Sequence, residues 1–259
     1  EALGKIDEEH KQIDKAKTKL LSITSHELRS PMTPIKAQLQ MLIENYFGNM
    51  NKEQKDSLKI ILKNTDRLDK IIQDFLEISR IEAARLNFEF KKTDLKKEIQ
   101  KAVKEIKDYL PEKKIKIQIK AEKLPKIEVD PDRFSQVMRN LLINAKKFSP
   151  DNSKINIDAK EKGEFIVICI KDKGIGISKE NQSKIFKPFY QEEETMYRKY
   201  GGSGLGLSIV KGIINSQKGK IWVESEKGKG ANFCFSIPKK PVKKPAEIKS
   251  LFIDEKKNK

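Results

Sequence analysis

Two asparagines and a lysine in the segment RNLLINAKKFS have the types and spacing to contact a phosphate-bearing ligand. Asn140 and Asn144 are four residues apart, so they share one face of a helix, and Lys147 follows three residues later. An amide oxygen is a neutral ligand that suits Mg²⁺, and a lysine ammonium can pair with a phosphate. The alternative is that Asn140 caps or hydrogen-bonds locally, so this segment needs support from elsewhere in the chain.

The segment DKGIGIS places a carboxylate, Asp172, at the end of an apolar strand. A buried carboxylate there can accept a hydrogen bond from an exocyclic amine, which adenine offers where guanine presents a carbonyl. Gly174 and Gly176 allow a tight turn and a close approach of the backbone to a ligand. A simple turn is the alternative interpretation.

A third segment, GGSGLGLSIV, places glycines directly before an amphipathic helix. Backbone N–H groups at such a helix end bind phosphate. No Gly-Lys-Ser/Thr follows, which excludes a Walker loop, and no strand feeds the segment, which excludes the dinucleotide fingerprint. The residues concerned are Gly202, Gly204, Leu205 and Gly206.

A histidine and a glutamate are adjacent in SHELRSPM. The apolar steps extend backward from Leu28 through Ser25, which leaves His26 just off the seam and facing solvent. Histidine titrates at about pH 6.5, so a neutral ring nitrogen is available at pH 7. Glu27 can hold the other ring proton and so favour attack by the first nitrogen. His10, the only other histidine, is expected to be a surface residue without a role.

The first third of the chain has the pattern of two long helices. Apolar positions recur in steps of four and three on both sides of a turn at 45–51. This predicts an antiparallel helical hairpin whose wide apolar faces one partner helix cannot cover. Pairing two hairpins into a four-helix bundle would bury them, so we expect a homodimer. The seam residues are Leu28, Met32, Ile35, Leu39, Leu42, Leu58, Ile61, Thr65, Leu68, Ile72, Phe75 and Ser79.

From about residue 85, strand-like segments alternate with helices, which predicts an α/β sandwich. The segment RLNFEFKKTDL indicates a strand that leads into a helix from Thr93 or Asp94 to Tyr109. Two further helices are predicted from Pro131 to Lys147 and from Leu205 to Ser216. The other strands are expected in KIKIQIKAE, KINIDAKE, EFIVICIKD, KIWVESE and ANFCFSIP.

These segments, in this order, resemble the sensor histidine kinases of two-component systems. NLLINAKKFS is similar to the N box of that family, DKGIGI to its first glycine box, IFKPFYQ to its F box and GGSGLGL to its second glycine box. SEKGKGANFCFSIP is similar to its closing turn and last strand, and SHELRSPM to its H box. The resemblance implies a signalling helix and a dimerisation and phosphotransfer hairpin over 1–84, and a Bergerat-type ATP-binding domain over 85–240. The segment 241–259 is rich in lysine and proline with little apolar content, so we expect a basic flexible tail.

The resemblance also implies roles for the site residues, with ATP and Mg²⁺ as cofactors. It implies that Asn144 ligates Mg²⁺, that Asn140 and Lys147 face the phosphates, and that Asp172 contacts adenine. Gly174 and Gly176 would admit the nucleotide, and the residues of the second glycine box would hinge a lid and hold phosphate. The lid would span about 178–200, with Arg198 and Lys199 near the phosphates or simply solvated, and with Phe186 and Phe189 as its anchors or as core residues.

For the helical hairpin, the resemblance implies that His26 is the phosphoacceptor and Glu27 its acidic helper. Ser30 would position a water that dephosphorylates the partner, a response regulator receiver domain. Pro31 and Pro34 each remove a helix hydrogen bond just after His26, so we expect a kink that acts as a hinge. Lys146 departs from the family, where an aliphatic residue is usual, and we interpret it as a solvent-facing position.

Composition bears on the partners of the chain, on the state of its cysteines and on its compartment. The net charge of +17 favours anionic partners, but no recognised DNA- or RNA-binding motif is present, so no specific nucleic acid is expected. Cys169 and Cys234 lie in apolar strands and are predicted to be small core residues rather than a disulfide. No run approaches the roughly 20 apolar residues that a membrane span needs, so we expect this chain to be cytoplasmic. Because the first residue is Glu1 and not methionine, we expect a piece of a longer protein whose remainder could hold a sensor or membrane spans.

The sequence therefore predicts an ATP:protein-histidine kinase that phosphorylates His26 and passes the phosphoryl group to an aspartate of a response regulator. An ATP-driven clamp or chaperone that shares the fold is the first alternative. A degenerate scaffold and a nucleic-acid-binding module are the others. The helical hairpin with its histidine argues against the clamp, and the intact Asn144 and Asp172 argue against the scaffold.

Overall fold

The protein is described by a computed structural model over residues 23–24, 27–107, 111, 113–121, 124–191 and 202–241. The chain divides into two compact units, Glu1–Ala83 and Ala84–Lys259.

The first unit contains two helices, α1 over residues 27–43 and α2 over Lys52–Glu82. A capping box starts α2, because the Asn51 side chain accepts from the Gln54 N–H and the Gln54 side chain accepts from the Asn51 N–H. The helices run antiparallel, since Arg29 lies 3.7 Å from Asp69 and Lys36 lies 2.6 Å from Asp66. The hairpin predicted from the sequence is therefore confirmed.

The predicted apolar seam of the hairpin is half covered. Met32, Leu39, Thr65, Ile72 and Ser79 are buried, whereas four other seam residues are about half exposed in the single chain. The helical backbone is continuous from residue 27 to 43, through Pro31 and Pro34. A hinge there stays a prediction. The exposed seam residues are Leu28, Ile35, Ile61 and Leu68.

The second unit is built on a five-stranded sheet and a separate two-stranded sheet. The strands are β1 Lys91–Thr93, β2 Lys116–Ala121, β3 Ile127–Val129, β4 Lys154–Lys162, β5 Phe165–Lys171, β6 Ile221–Ser225 and β7 Ala231–Pro238. The strand order of the larger sheet is β2–β4–β5–β7–β6, with β2 and β4 parallel and all other neighbours antiparallel. The smaller sheet pairs β1 with β3.

Three helices cover one face of the five-stranded sheet: α3 Leu95–Ile106, α4 Pro131–Phe148 and α5 Gly206–Ser216. Phe134 of α4 packs against Phe235 of β7 with ring centroids 6.3 Å apart, so the Phe235 side of the sheet faces the helices. On this side the apolar side chains of the central strands β4, β5 and β7 are buried, as expected for a two-layer core, whereas those of the edge strands β2 and β6 are half-buried. The α/β sandwich predicted from the sequence is confirmed, and none of the helices in the described ranges is long and apolar enough to cross a bilayer.

The predicted element boundaries are close to those observed. The side chain of Asp94 caps α3, which ends at Ile106, and Asp130 caps α4, which continues to Phe148. The predicted helix end at Tyr109 lies outside the described residues. β3 was not predicted, because its three residues gain their strand geometry by pairing with β1.

The interpretation of Lys146 as a solvent-facing residue is wrong. The side chain is only 4% exposed, and its Nζ donates to the carbonyls of Ile106 and Lys107 at 3.3 and 3.0 Å. Lys146 thus caps the C-terminal end of α3, where backbone carbonyls lack helical partners. Lys113 does the same for α4, since its Nζ donates to the carbonyls of Lys147 and Ser149 at 2.6 and 2.8 Å.

The prediction that Cys169 and Cys234 are core residues without a disulfide is also wrong. They face each other across β5 and β7, with Cα atoms 4.0 Å apart, and form a disulfide. Their register row lies on the sheet face opposite to the helices, because the neighbouring row pairs Ile168 with Phe235. They are 65 positions apart in the chain, so the sequence pattern does not reveal this pairing.

Candidate nucleotide-binding site

The carboxylate of Asp172 lies at the end of β5 and is oriented by two backbone N–H groups. Its Oδ1 accepts from Gly174 at 2.7 Å and from Ala231 at 3.1 Å, and the side chain is 5% exposed. The backbone N–H of Asp172 also donates to the Ala231 carbonyl. Among the described residues both side-chain bonds are to Oδ1, which leaves Oδ2 as the acceptor for a ligand's amine.

Burial raises the pKa of the Asp172 carboxyl above its ordinary value, because desolvation disfavours the charged form. The hydrogen bonds from Gly174 and Ala231 act in the opposite direction and are the smaller effect. In the protein without nucleotide, the buried carboxyl has these two hydrogen bonds among the described residues. A nucleobase amine would supply one more.

The turn after Asp172 is held against the loop between β6 and β7. The φ of Gly176 is +68°, and a Cβ there would overlap the carbonyl oxygen of Glu226. The Ile177 N–H donates to Ser225 Oγ at 2.8 Å, and that hydroxyl donates to the Gly230 carbonyl at 2.7 Å. Only glycine fits the position of Gly176, both for its backbone conformation and for the space available.

The α4 side chains predicted to contact phosphate lie next to the second glycine segment. The Asn140 amide nitrogen is 3.4 Å from the Gly206 carbonyl, so the local hydrogen bond weighed for this residue is present. A Cβ on Gly202 would lie 3.0 Å from Lys147 Nζ, which places the ammonium beside the loop. Asn144 is half-buried between them on the same helix, and no side-chain hydrogen bond within the described part of the chain occupies it.

The two described ends of the predicted lid meet. The Phe189 N–H donates to the Gly204 carbonyl at 3.1 Å, and a Cβ on Gly204 would lie 2.9 Å from Phe189 Cα. Tyr190 Oη donates to Asn181 Oδ1 at 2.6 Å. Residues 192–201, with Arg198 and Lys199, lie outside the described residues.

Phe186 and Phe189 have different surroundings. Phe186 is 8% exposed and packs edge-on against Phe233, so it belongs to the core, whereas Phe189 is 53% exposed. α5 begins beside Phe189 with Leu205 at its N-cap position, which has no side-chain hydrogen bond to the first turn. The first N–H groups of α5 are therefore suited to bind an anion.

On the hairpin, His26 lies outside the described residues. Glu27 and Ser30 are in α1 and are both exposed. No group of three or more histidine, cysteine or acidic side chains with the geometry of a metal site occurs in the described ranges.

Three residues that support the site were not singled out from the sequence: Ala231, Ser225 and Gln182. The Gln182 amide donates to the Ser225 carbonyl at 2.7 Å, so all three connect the Asp172 turn to the β6–β7 loop. The glycines of SEKGKGANF indicated a turn there. Nothing in the sequence indicated that the turn would hold Asp172.

Two family descriptions match this chain. "His Kinase A (phospho-acceptor) domain" matches residues 16–84, and "Histidine kinase-, DNA gyrase B-, and HSP90-like ATPase" matches residues 129–241. Sensor histidine kinase WalK of Bacillus subtilis (strain 168) is 31% identical over 238 residues, which cover 90% of this chain and 38% of WalK.

Solved structures give the same result. The catalytic domain of histidine kinase ThkA is 30% identical, with a TM-score of 0.52, over 60% of this chain and 100% of that domain. ThkA in complex with response regulator protein TrrA has a TM-score of 0.63 at 27% identity, over 94% of this chain and 69% of ThkA. Full-length ShkA in complex with AMPPNP has a TM-score of 0.75 over 89% of this chain and 47% of ShkA, and its 24% identity supports the fold alone.

The fold and these matches define a helical phosphoacceptor region followed by an ATP-binding α/β domain. The chain belongs to the histidine kinase family. It spans less than half the length of the curated relatives it matches, for example 38% of WalK.

Proposed function

We propose that this chain is the catalytic core of a sensor histidine kinase, which transfers the γ-phosphoryl group of ATP to His26. The phosphoryl group then passes to an aspartate of a response regulator receiver domain. The observation that carries the proposal is the oriented, buried carboxylate of Asp172 at one end of a site whose other end holds Lys147 and the start of α5. One end suits an adenine amine, and the other suits a polyphosphate.

The phosphate end of the proposed site combines three kinds of donor. Lys147 offers an ammonium beside Gly202, α5 offers the N–H groups of its first turn, and Asn140 holds that turn in place through the Gly206 carbonyl. Phosphoryl transfer depends on positioning and on charge stabilisation more than on covalent help from the protein. These groups would position the phosphates and stabilise their negative charge.

Asn144 fits a role as a Mg²⁺ ligand. Its amide oxygen is of the type that this cation accepts, and Mg²⁺ in such sites takes most of its other ligands from phosphates and water. When bound, the cation would neutralise charge on the β- and γ-phosphates. The half-buried position of Asn144, on the helix that also carries Asn140 and Lys147, supports this assignment.

In the proposed reaction a neutral ring nitrogen of His26 attacks the γ-phosphorus. A P–N bond forms, the P–O bond to the β-phosphate breaks, and ADP leaves. Glu27, next in the chain, stabilises the ring as it gains positive charge. Ser30, one helical turn further on, would position water when the partner's phosphoryl group is hydrolysed. ThkA, which is 27% identical, forms a complex with a response regulator.

A homodimer is part of this proposal. The seam of the hairpin leaves Leu28, Ile35, Ile61 and Leu68 about half exposed, and these residues form an apolar stripe on two antiparallel helices. A second hairpin would cover that stripe in a four-helix bundle. The matched phosphoacceptor region, residues 16–84, coincides with this hairpin.

An ATP-driven clamp is the second candidate, because the matched ATPase description also includes DNA gyrase B and HSP90. The two functions differ in a covalent product. The kinase incorporates label from γ-labelled ATP but not from α-labelled ATP, and the bond is labile in acid and stable in alkali. A clamp would release labelled inorganic phosphate and leave the chain unlabelled, which would contradict the proposal.

A further inference from the structure

The disulfide between Cys169 and Cys234 lies on the sheet face opposite to the helices. Cys169 is half-buried and Cys234 is 2% exposed, so one sulfur is more accessible than the other. The two residues are also the only cysteines in the chain. A thiol reagent can therefore react at this site alone.

The disulfide is close to Asp172 along both strands. Cys169 precedes Asp172 by three residues on β5, and Cys234 follows Ala231 by three residues on β7. The Asp172 N–H donates to the Ala231 carbonyl at 2.8 Å, and the Ala231 N–H donates to the Asp172 carboxylate. The covalent link thus joins the two strands whose ends set the position of that carboxylate.

We propose that Cys169 and Cys234 form a thiol–disulfide exchange site that changes the affinity of the neighbouring site for nucleotide. The reagent is a low-molecular-weight thiol and its disulfide. This inference rests on the proposed binding of adenine nucleotide at Asp172. The oxidised form is the tighter binder, because the disulfide holds β5 and β7 together beside the carboxylate.

The exchange begins at the more accessible sulfur. A thiolate attacks Cys169 Sγ, a mixed disulfide forms there, the S–S bond breaks, and Cys234 leaves as a thiolate that takes up a proton. A second thiolate attacks the sulfur of the mixed disulfide that derives from the reagent, releases the reagent as its own disulfide and frees Cys169. Two electrons pass from two thiols to the protein disulfide, and the reverse sequence reoxidises it.

The effect on nucleotide follows from preorganisation. Two thiols occupy more space than two bonded sulfurs, so reduction moves the side chains apart and loosens the strand pair near its end. The Ala231 N–H is then held less firmly on Asp172, and binding must restore the arrangement. We expect about fivefold weaker nucleotide binding after reduction, a typical size for the loss of modest preorganisation.

Trp222 gives a direct report on the thiol state. It is the only tryptophan, and it is the register partner of Cys234 on β6, on the same face of the sheet. A disulfide quenches a neighbouring indole, so reduction should raise the fluorescence of Trp222. This signal shows that the bond has opened, independently of any effect on nucleotide.

The experiment measures AMP-PNP affinity by calorimetry on the full chain, in oxidised glutathione and then in dithiothreitol. A Cys169→Ala/Cys234→Ala variant is the matched control, and it should bind like the reduced chain under both conditions. The wild-type comparison remains decisive if the variant folds poorly. Trp222 fluorescence and a thiol count accompany each titration.

Four outcomes are distinguishable. Weaker binding on reduction, with brighter Trp222 and two new thiols, supports the proposal. A change in affinity of less than about twofold, or tighter binding when reduced, overturns it while the nucleotide site stands. Two free thiols in oxidised glutathione also overturn it. No binding in either state overturns the proposed nucleotide function as well.

Discussion

The N–H of Ala231 donates to Oδ1 of Asp172 across 3.1 Å, although the two residues are 59 positions apart in the chain. The carboxylate proposed to contact adenine is thus oriented by the first residue of β7, and not only by the turn that follows it. Residues around Ala231 therefore belong to the site, even though they carry no functional group of their own.

Replacing Asp172 by asparagine should separate nucleotide binding from folding. The amide oxygen can still accept from Gly174 and Ala231, but an amide N–H₂ replaces Oδ2 and faces the adenine amine. We expect AMP-PNP affinity to fall by about tenfold or more, the usual size of a lost hydrogen bond to a charged group. Calorimetry measures this. Wild-type affinity in the variant would contradict the assignment of Asp172.

The same variant has a predicted pH signature in the nucleotide-free chain. Because burial raises the pKa of Asp172 above 3.8, the native state binds this proton more readily than the unfolded state does. Stability is then lost as pH rises from about the unfolded value through the raised native value. The Asp172→Asn variant has no titrating group at this position and so has no such loss. We expect the Tm of the variant to rise relative to that of the wild type as pH increases across that window. Tm values that depend on pH in the same way in both chains would contradict the inferred cost of burial.

Glycine at position 176 should be indispensable, and the chain offers a matched control. Gly176 and Gly163 both have positive φ, but a Cβ at Gly163 meets nothing within 4 Å, whereas a Cβ at Gly176 meets the Glu226 carbonyl. We expect Gly163→Ala to cost about 1 kcal/mol of unfolding free energy and Gly176→Ala about 3 kcal/mol, since overlap adds to the backbone term. Urea denaturation compares them, and equal losses would show that the Glu226 contact is unimportant.

The buried Lys146 should stabilise the second unit through the end of α3. Lys146→Met keeps the length of the side chain but leaves the Ile106 and Lys107 carbonyls without their donor. We expect a loss of about 1–2 kcal/mol in unfolding free energy. Lys101→Met, at an exposed position of α3, should change it little. An equally small effect of Lys146→Met would mean that the hydrogen bonds of Lys146 make no net contribution to the free energy of unfolding.

The apolar stripe of the hairpin should determine the oligomeric state. Leu68→Glu places a charge on the exposed part of the seam, whereas Lys63→Glu changes a charge on the opposite side of the same helix. We expect the first variant to sediment as a monomer at micromolar concentration and the second to remain dimeric. A wild-type chain that already sediments as a monomer would contradict the proposed four-helix bundle.

Local patterns were enough to predict most elements of the fold. The steps of four and three gave both hairpin helices, and strand alternation gave the five strands of the larger sheet. The positions of Asp172 and of the glycines also followed from short motifs, because a strand end and a helix start are local features.

Contacts between distant segments could not be predicted in this way. Cys169 pairs with Cys234, Lys146 caps α3, and Ala231 orients Asp172 only because separate strands and helices meet in the folded unit. For the two cysteines and for Lys146, the residue type alone favoured a different interpretation. No local sequence pattern distinguishes a buried lysine such as Lys146 from a solvated one.

The central claim is that ATP phosphorylates one histidine of this chain, and its two histidines provide the sharpest test. The chain is incubated with γ-labelled ATP and Mg²⁺, and acid-labile, alkali-stable label is measured in wild type, His26→Gln and His10→Gln. We predict that His10→Gln labels like the wild type, while His26→Gln shows no label yet binds AMP-PNP with unchanged affinity. Label that persists in His26→Gln, or that is stable in acid, would contradict the account.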